Sequence, residues 1–121
     1  MPNRIAVMGS LNMDYVVQVE RLPAPGETIS GFNFQTIPGG KGANQACAAA
    51  RLAASSRVSM LGRVGRDASG DQLKANLAAA GADVSHVAGT HGQATGVALI
   101  WVEASGQNSI VIAAGANAAL S

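Results

Sequence analysis

Three glycines and one lysine lead directly into an alanine-rich segment at residues 39–46, Gly39-Gly40-Lys41-Gly42-Ala43-Asn44-Gln45-Ala46. Alanine favours helix, so this junction predicts a helix start with free backbone N–H groups, where polar ligands dock. Glycine has no Cβ to block a close approach, and the side chains of Lys41 and Asn44 add directional donors. The segment therefore predicts a small-molecule site.

Two phosphate-binding motifs fail at their defining positions in this stretch. A Walker-type loop requires glycine at the position of Gln35 and Ser or Thr after the lysine, where Gly42 stands. A dinucleotide fingerprint requires glycine at the position of Gln45. A cradle for a neutral polyol remains, in which Gly40 and Gly42 give access and Asn44 binds hydroxyls. An ordinary glycine-rich helix entry is the alternative.

A second candidate set lies at residues 9–14, Gly9-Ser10-Leu11-Asn12-Met13-Asp14, just past a predicted strand at residues 4–8. In open α/β sheets, ligands bind outside the carboxyl ends of strands. Asn12 and Asp14 are two residues apart, so their side chains point the same way in extended backbone. A carboxylate beside an amide suits vicinal hydroxyls. A turn in which both residues bond their own backbone is the alternative.

The elements that would position these residues alternate between strand and helix. Alternation predicts a parallel sheet with crossover helices, although 15–37 and 96–113 do not fit simple crossovers. The apolar pattern and the helix formers predict strands or extended stretches at 4–8, 15–19, 27–37 and 57–64, and helices at 43–54 and 67–80. On the second helix Leu73 and Leu77 share a face, and Gly81 is suited to end it.

A ribbon near the carboxyl end has two apolar faces. Residues 97–102 and 109–113 flank a polar turn and predict a hairpin. One face carries Val97, Leu99 and Trp101, and the other carries Ala98, Ile100 and Val102. Such a ribbon must be covered on both sides, one by a ligand and the other by a partner chain or domain. A central strand of the main sheet is the alternative.

Other conspicuous residues predict structural roles. Asp67 follows a strand and precedes a helix, so it is suited to cap that helix. Cys47 is the only cysteine and lies among alanines, which predicts a small core residue. His86 and His91 lie in a predicted loop region with no cysteine or acidic cluster nearby, and we expect no metal site there.

Composition sets limits on the class of protein. The 121 residues suit one modest domain. The net charge is +1 and the basic residues are scattered, so we expect no nucleic-acid partner. Since no apolar run approaches the roughly 20 residues of a membrane span, we expect no membrane partner. A single cysteine without a visible signal peptide fits the cytoplasm.

Taken in order, these residues resemble the N-terminal part of the ribokinase family, the PfkB-type carbohydrate kinases. The resemblance covers essentially the whole chain, and the second and third of its motifs in tandem are more specific than any single glycine motif. The matching segments are residues 9–14, Pro25-Gly26-Glu27-Thr28, residues 39–46, residues 62–67 with Gly70, Thr95-Gly96-Val97-Ala98, and the closing residues 115–121.

The resemblance implies an α/β chain, the N-terminal part of a three-layer α/β/α fold with a small β-sheet lid. Residues 1–14, 38–95 and 114–121 would form a partial substrate-binding core, and 15–37 and 96–113 the lid. In this family the lid also pairs with that of a second subunit, which implies a homo-oligomer, such as a homodimer.

The resemblance also assigns a substrate site and an activity. The substrate would be D-ribose or a similar sugar, phosphorylated with ATP and Mg²⁺ to give ribose 5-phosphate. The family's catalytic aspartate lies in a Gly-Ala-Gly-Asp-like motif that is absent here. We therefore expect no catalytic, nucleotide-binding or metal-binding residue in this chain and no activity from it alone. The chain would be a truncated gene product or an expressed fragment. Its sugar-binding residues would be Asn12, Met13, Asp14, Gly39, Gly40, Lys41, Gly42, Ala43 and Asn44, with Ala98 and Ile100 from the lid.

Two other functions stay open at this point. One is a non-catalytic module that binds sugar or dimerises through its β-lid. The other is the N-terminal part of a related sugar or nucleoside kinase. Aromatic residues are only 3% of the chain, which argues mildly against nucleoside, but Phe32, Phe34 and Trp101 keep that option.

Overall fold

The computed structural model describes residues 3–53 and 56–120. In that part of the chain, seven strands and two α-helices precede a short 3₁₀ helix. In chain order they are β1 (Arg4–Met8), β2 (Asn12–Val19), β3 (Phe32–Gly39), α1 (Lys41–Leu52), β4 (Arg57–Gly65), α2 (Ala68–Ala79), β5 (Asp83–Thr90), β6 (Gly96–Glu103), β7 (Asn108–Ala113) and the 3₁₀ helix Gly115–Ala119.

The first sheet has three strands in the order β1-β4-β5, all parallel. Helices α1 and α2 supply the crossovers, as the alternation predicts, and they pack on β1, β4 and β5. Leu73 and Leu77 of α2 are buried, and so is Cys47 of α1, which confirms their predicted core roles. One continuous cluster forms the core, built from Val7, Leu11, Met13, Ala43, Ala46, Cys47, Val58, Met60, Val64, Leu73, Leu77, Ala82 and Val87.

The second sheet has four strands in the order β3-β2-β6-β7. Strand β2 is antiparallel to β3 and parallel to β6, and β6 and β7 form the predicted hairpin. Because β6 lies in this sheet, the alternative that placed residues 97–102 centrally in the main sheet is wrong. The sheet keeps large apolar side chains on its surface, among them Phe32, Phe34, Leu99, Ile110, Val111 and Ile112.

Several predicted boundaries shift. Strand β2 begins at Asn12, so Asn12 and Asp14 lie in a strand and the turn alternative is wrong. Strand β3 runs past the predicted end to Gly39 and includes Pro38, which is tolerated because β3 is an edge strand. Helix α1 begins at Lys41, and its predicted end, residue 54, lies outside the described residues, as do residues 1, 2 and 121 of the expected core segments.

The sequence prediction missed β5. His86 lies on this strand, exposed, and His91 lies in the turn after it. Its apolar residues Val84, Val87 and Ala88 do not alternate with polar ones, so the strand lacks the local pattern that predicts one. Parallel pairing with β4, from Ser59 and Asp83 onward, sets its conformation instead.

No membrane-spanning helix is found in residues 3–53 and 56–120, since α1 and α2 have only 12 residues each.

Candidate functional site

The start of α1 packs directly on the segment between β1 and β2. Ala43 N donates a hydrogen bond to Ser10 O at 3.0 Å. A Cβ on Gly40 would lie 2.5 Å from Ser10 O, and one on Gly42 would lie 2.7 Å from the backbone of Gly9. Gly40 also has φ of 96°, which favours glycine. These glycines allow one chain segment to approach another, a packing role that the sequence prediction did not include.

Asp14 lies over the end of β3, beside the start of α1. A Cβ on Gly39 would lie 2.5 Å from Asp14 Oδ2, so the carboxylate occupies the space that a side chain at Gly39 would take. Burial raises the pKa of Asp14 above its usual range. The carboxylate accepts none of the hydrogen bonds found between described residues. It is thus an acceptor with unused capacity.

Asn12 is 9% exposed and lies on the same face of β2 as Asp14. Its Oδ1 accepts a hydrogen bond from Asn117 Nδ2 at 2.8 Å. Asn117 stands on the 3₁₀ helix and also contacts the backbone of Leu11 through two hydrogen bonds. Residues 115–121 contributed to the prediction only through the family resemblance, so this contact was missed. No local pattern could reveal it, because Asn117 and Asn12 are 105 residues apart.

The remaining predicted residues of the glycine-rich stretch and β2 differ in what they can offer. Lys41 and Asn44 are exposed on the first turns of α1. Met13 and Ala43 are buried in the core cluster, so their side chains face away from any ligand beside Asp14. Asn44 N donates to Gly40 O at 2.9 Å and Ala43 N is also used inside the protein, so the side chains of Lys41 and Asn44 add to the remaining backbone N–H groups at the start of α1.

The predicted contacts from β6 come next to Asp14 across the sheet. Ala98 pairs with Asp14 and Ile100 pairs with Val16 in the parallel register, so both lie on the Asp14 face. Ala98 is buried and Ile100 is half-buried. The same row continues to Ile37 on one side and Ile112 on the other. Both isoleucines were missed as neighbours of the site, because only the strand register brings them there.

A second polar cluster lies where β6 leaves the core. Asp67 accepts hydrogen bonds from Gly70 N at 2.8 Å, which confirms the predicted cap of α2, and from Thr95 N at 2.9 Å. Thr95 Oγ1 donates to Asp67 Oδ1 at 2.5 Å and accepts from Gly65 N at 2.9 Å. Partial burial acts to raise the pKa of Asp67, but the hydrogen bonds from Thr95 and Gly70 outweigh it and the net pKa is lowered.

The chemistry available here is the binding of hydroxyl groups. An unpaired carboxylate, a carboxamide and the donors of α1 lie around one strand end, beside an apolar row. Within the described ranges, no group of three or more His, Cys, Asp or Glu could hold a metal ion. These residues therefore do not fit a Mg²⁺ site.

Comparison with known proteins decides the family. The family profile described as pfkB family carbohydrate kinase matches residues 2–121. The chain belongs to the pfkB family of carbohydrate kinases. This confirms the resemblance that the motifs indicated.

Individual relatives of this pfkB chain include a ribokinase and a deoxyribokinase. A ribokinase from Haemophilus influenzae is 45% identical over 121 residues, which is 100% of this chain and 39% of the relative. A deoxyribokinase from Salmonella typhi is 43% identical over 117 residues, 97% of this chain and 38% of the relative. The chain thus spans about two fifths of the length of these relatives.

Solved structures of the family confirm the fold. The structure of Arabidopsis thaliana ribokinase complexed with ribose and ATP superposes with a TM-score of 0.87 at 41% identity, covering 97% of this chain and 38% of that one. The pfkB chain therefore has the N-terminal part of a ribokinase-like α/β fold.

Proposed function

We propose that this chain forms the sugar-binding and lid part of an ATP-dependent carbohydrate kinase that converts D-ribose to ribose 5-phosphate. The observation that carries the proposal is the unpaired carboxylate of Asp14, placed against Gly39 at the start of α1, in a chain of the pfkB family. Asp14 is half-buried, and partial burial of a carboxylate without a hydrogen bond from the described residues is unfavourable. A ligand that donates hydroxyl protons to it would offset that cost.

The position of each predicted residue assigns it a role in sugar binding. Asp14 accepts hydrogen bonds from sugar hydroxyls, and the Asn12 carboxamide binds beside it. Lys41 and Asn44 donate from α1. Gly39, Gly40 and Gly42 let the walls of the site meet, with Met13 and Ala43 fixing those walls to the core. Ala98 and Ile100 contact the apolar side of the sugar.

The second sheet acts as a lid in this proposal, with 15–37 and 96–113 as lid segments and 1–14, 38–95 and 114–121 as core. Its strands extend slightly further, since β2 begins at Asn12 and β3 ends at Gly39. Exposed apolar side chains on the sheet support pairing with the lid of a second copy.

That pairing is testable by sedimentation velocity. Val111→Lys, on a side chain that is 56% exposed and pairs with Leu99 on the face opposite Asp14, should shift the chain toward monomer, because a charge at an apolar interface is strongly unfavourable. The control Gln72→Lys, on an exposed position of α2, adds the same charge elsewhere and should leave association unchanged. A wild-type chain that is monomeric at high concentration contradicts the pairing.

The chemical step belongs outside these residues. ATP and Mg²⁺ are the cofactors that the family implies, and a relative's structure is described with ribose and ATP, but the described residues of this chain offer no metal site. We infer that the 121 residues bind sugar without phosphorylating it, in the cytoplasm. Turnover of ribose by the purified chain would contradict this.

Calorimetry with ribose tests the site. Asp14→Ala and Asp14→Asn should each weaken ribose binding by about 5- to 150-fold, since loss of a buried hydrogen-bond partner costs about 1–3 kcal/mol. Asp71→Asn, on an exposed acid of α2, removes the same charge away from the site and should bind normally. An unchanged dissociation constant in the Asp14 variants would overturn the assignment.

The 43% identity to a deoxyribokinase favours one second candidate, a kinase of 2-deoxyribose. The same titration with 2-deoxyribose separates the two. Tighter binding of 2-deoxyribose than of ribose would favour the second candidate, whereas the reverse order supports the first. Equal failure of both sugars, with the chain folded, would favour a module that only dimerises.

A further inference from the structure

We propose that Asn117 is a positioning residue for the sugar site: it fixes the Asn12 carboxamide so that Nδ2, a donor, faces the sugar beside the Asp14 acceptor. This inference rests on the proposed function, because it specifies how the same site recognises hydroxyl groups.

The orientation of the Asn117 carboxamide is determined by the backbone. Leu11 N donates to Asn117 Oδ1 at 2.9 Å, and Asn117 Nδ2 donates to Leu11 O at 3.0 Å. A backbone N–H only donates and a backbone carbonyl only accepts. The amide of Asn117 therefore has one orientation that satisfies both groups, and the reverse orientation would oppose donor to donor and acceptor to acceptor.

This orientation determines that of Asn12. The second proton on Asn117 Nδ2 points to the Asn12 side chain, 2.8 Å away, and requires an acceptor there. Asn12 consequently places Oδ1 toward Asn117 and Nδ2 on the other side. Two backbone groups of Leu11 thus set, through Asn117, which end of Asn12 is presented.

Asn12 Nδ2 is free to bind a ligand. It donates none of the hydrogen bonds found within residues 3–53 and 56–120, and no buried side-chain nitrogen or oxygen there lacks a partner. Nδ2 is therefore accessible. Since Asp14 lies two residues on along β2, the site presents one donor and one acceptor side by side, which matches two neighbouring hydroxyls that accept and donate in turn.

The backbone around the Asn12 and Asn117 amides packs closely against them. Asn12 pairs with Gly96 at the first residue of β6. A Cβ on Gly96 would collide with both Asn117 Nδ2 and Asn12 Oδ1. The amide pair therefore sits where the two central strands of the second sheet leave the core, so it positions the sugar-binding strand and its neighbour together.

Side-chain amide spectra of the ¹⁵N-labelled chain test the orientation. Asn117→Asp keeps the acceptor for Leu11 N but loses both donors, so the Asn12 NH₂ signals should move even without ligand. Asn108→Asp, on an exposed residue at the start of β7, introduces the same charge and should leave those signals in place. Unmoved Asn12 signals in folded Asn117→Asp would overturn the orientation.

Ribose calorimetry on a double-mutant cycle tests the role. Asn117→Asp should weaken ribose binding about 10-fold, as expected for one hydrogen bond, but less than about 2-fold in an Asn12→Ala background, where no amide is left to orient. An equal loss in both backgrounds would show that Asn117 acts otherwise. Failure of the wild-type chain to bind ribose would instead overturn the proposed function.

A second variant keeps the test valid if Asn117→Asp does not fold. Asn12→Asp preserves the Oδ1 acceptor for Asn117, replaces the proposed donor by an oxygen and adds a negative charge near Asp14. Ribose affinity, measured below the thermal midpoint of the variant, should fall at least as far as in Asn12→Ala. Asn12→Asp that binds ribose as the wild type does would refute the donor assignment.

Discussion

The two sheets of this chain differ in how far their apolar side chains are exposed. In the three-stranded sheet, side chains such as Val58 and Met60 are at most 2% exposed, whereas in the four-stranded sheet Phe34 is 64% exposed and Ile112 is 63% exposed. An apolar strand pattern therefore predicts that a face will be covered, but it does not say by what. The helices of the same chain cover the first sheet, and we propose that sugar and a second copy cover the other.

Two joints connect the second sheet to the core, one where the chain enters β2 and one where it enters β6. Hydrogen bonds add to the apolar packing of Leu11 and Met13 there: Asn117 bonds to Leu11 and Asn12 at the start of β2, and Asp67 bonds to Thr95 just before β6. Because hydrogen bonds require specific partners and directions, the joints set the position of the second sheet.

The largest difference is expected between truncation of a leucine in the core that covers the first sheet and truncation of a leucine in the second sheet. Leu77→Ala should lower the free energy of unfolding by about 2–5 kcal/mol, because it leaves a cavity in a closed core. Leu99→Ala, on a side chain that is 41% exposed, should cost less than about 1 kcal/mol. Urea unfolding measures both. Equal losses would show that the second sheet is as closed as the first.

A smaller loss is expected at the joint. Asp67→Ala should cost about 1–3 kcal/mol, since it removes a helix cap and leaves the buried Thr95 hydroxyl without its acceptor. The pKa of Asp67 is lowered in the folded chain, so its contribution is present above the unfolded value of 3.8 and is lost as the pH falls through the lower folded pKa. Acid unfolding should therefore begin at higher pH in Asp67→Ala, and matching acid profiles would contradict this.

The smallest effect is expected in the loop between β2 and β3. Hydrogen bonds from Arg21 and from Ala24 N lower the pKa of Glu27 to about 2. Any stabilisation by this exposed pair is present above pH 4.5 and is lost as the pH falls toward about 2. Glu27→Gln should speed hydrogen exchange at the Ala24 amide and leave global unfolding nearly unchanged. A large drop in the unfolding midpoint would show that this loop belongs to the cooperative core.

The sequence predicts features whose signals are local. Asp67 as a cap and Leu73 with Leu77 as a buried face follow from neighbouring residues, and the hairpin after Gly96 follows from two apolar runs around a polar turn. Most of the fold could be predicted in this way. The family motifs added the pairing of residues 9–14 with 39–46 as one site.

What the sequence could not predict depends on contacts between distant residues. Strand β5 forms because β4 lies beside it, although only Val87 is fully buried there. Asn117 reaches Asn12 across 105 residues, and the row from Ile37 to Ile112 exists only through strand register. The need for glycine at Gly40 also depends on a distant contact, because Ser10 O occupies the space that a Cβ there would take.

Pro38 in β3 makes the two edges of the four-stranded sheet unequal. Proline has no N–H to offer an incoming strand, so growth of the sheet by strand addition is blocked near the end of β3. Strand β7 at the opposite edge contains no proline and carries Ile110, Val111 and Ile112 in sequence. An exposed apolar edge of this kind is where aggregation begins. A lysine introduced in β7 is therefore the change most suited to keeping this chain in solution at high concentration.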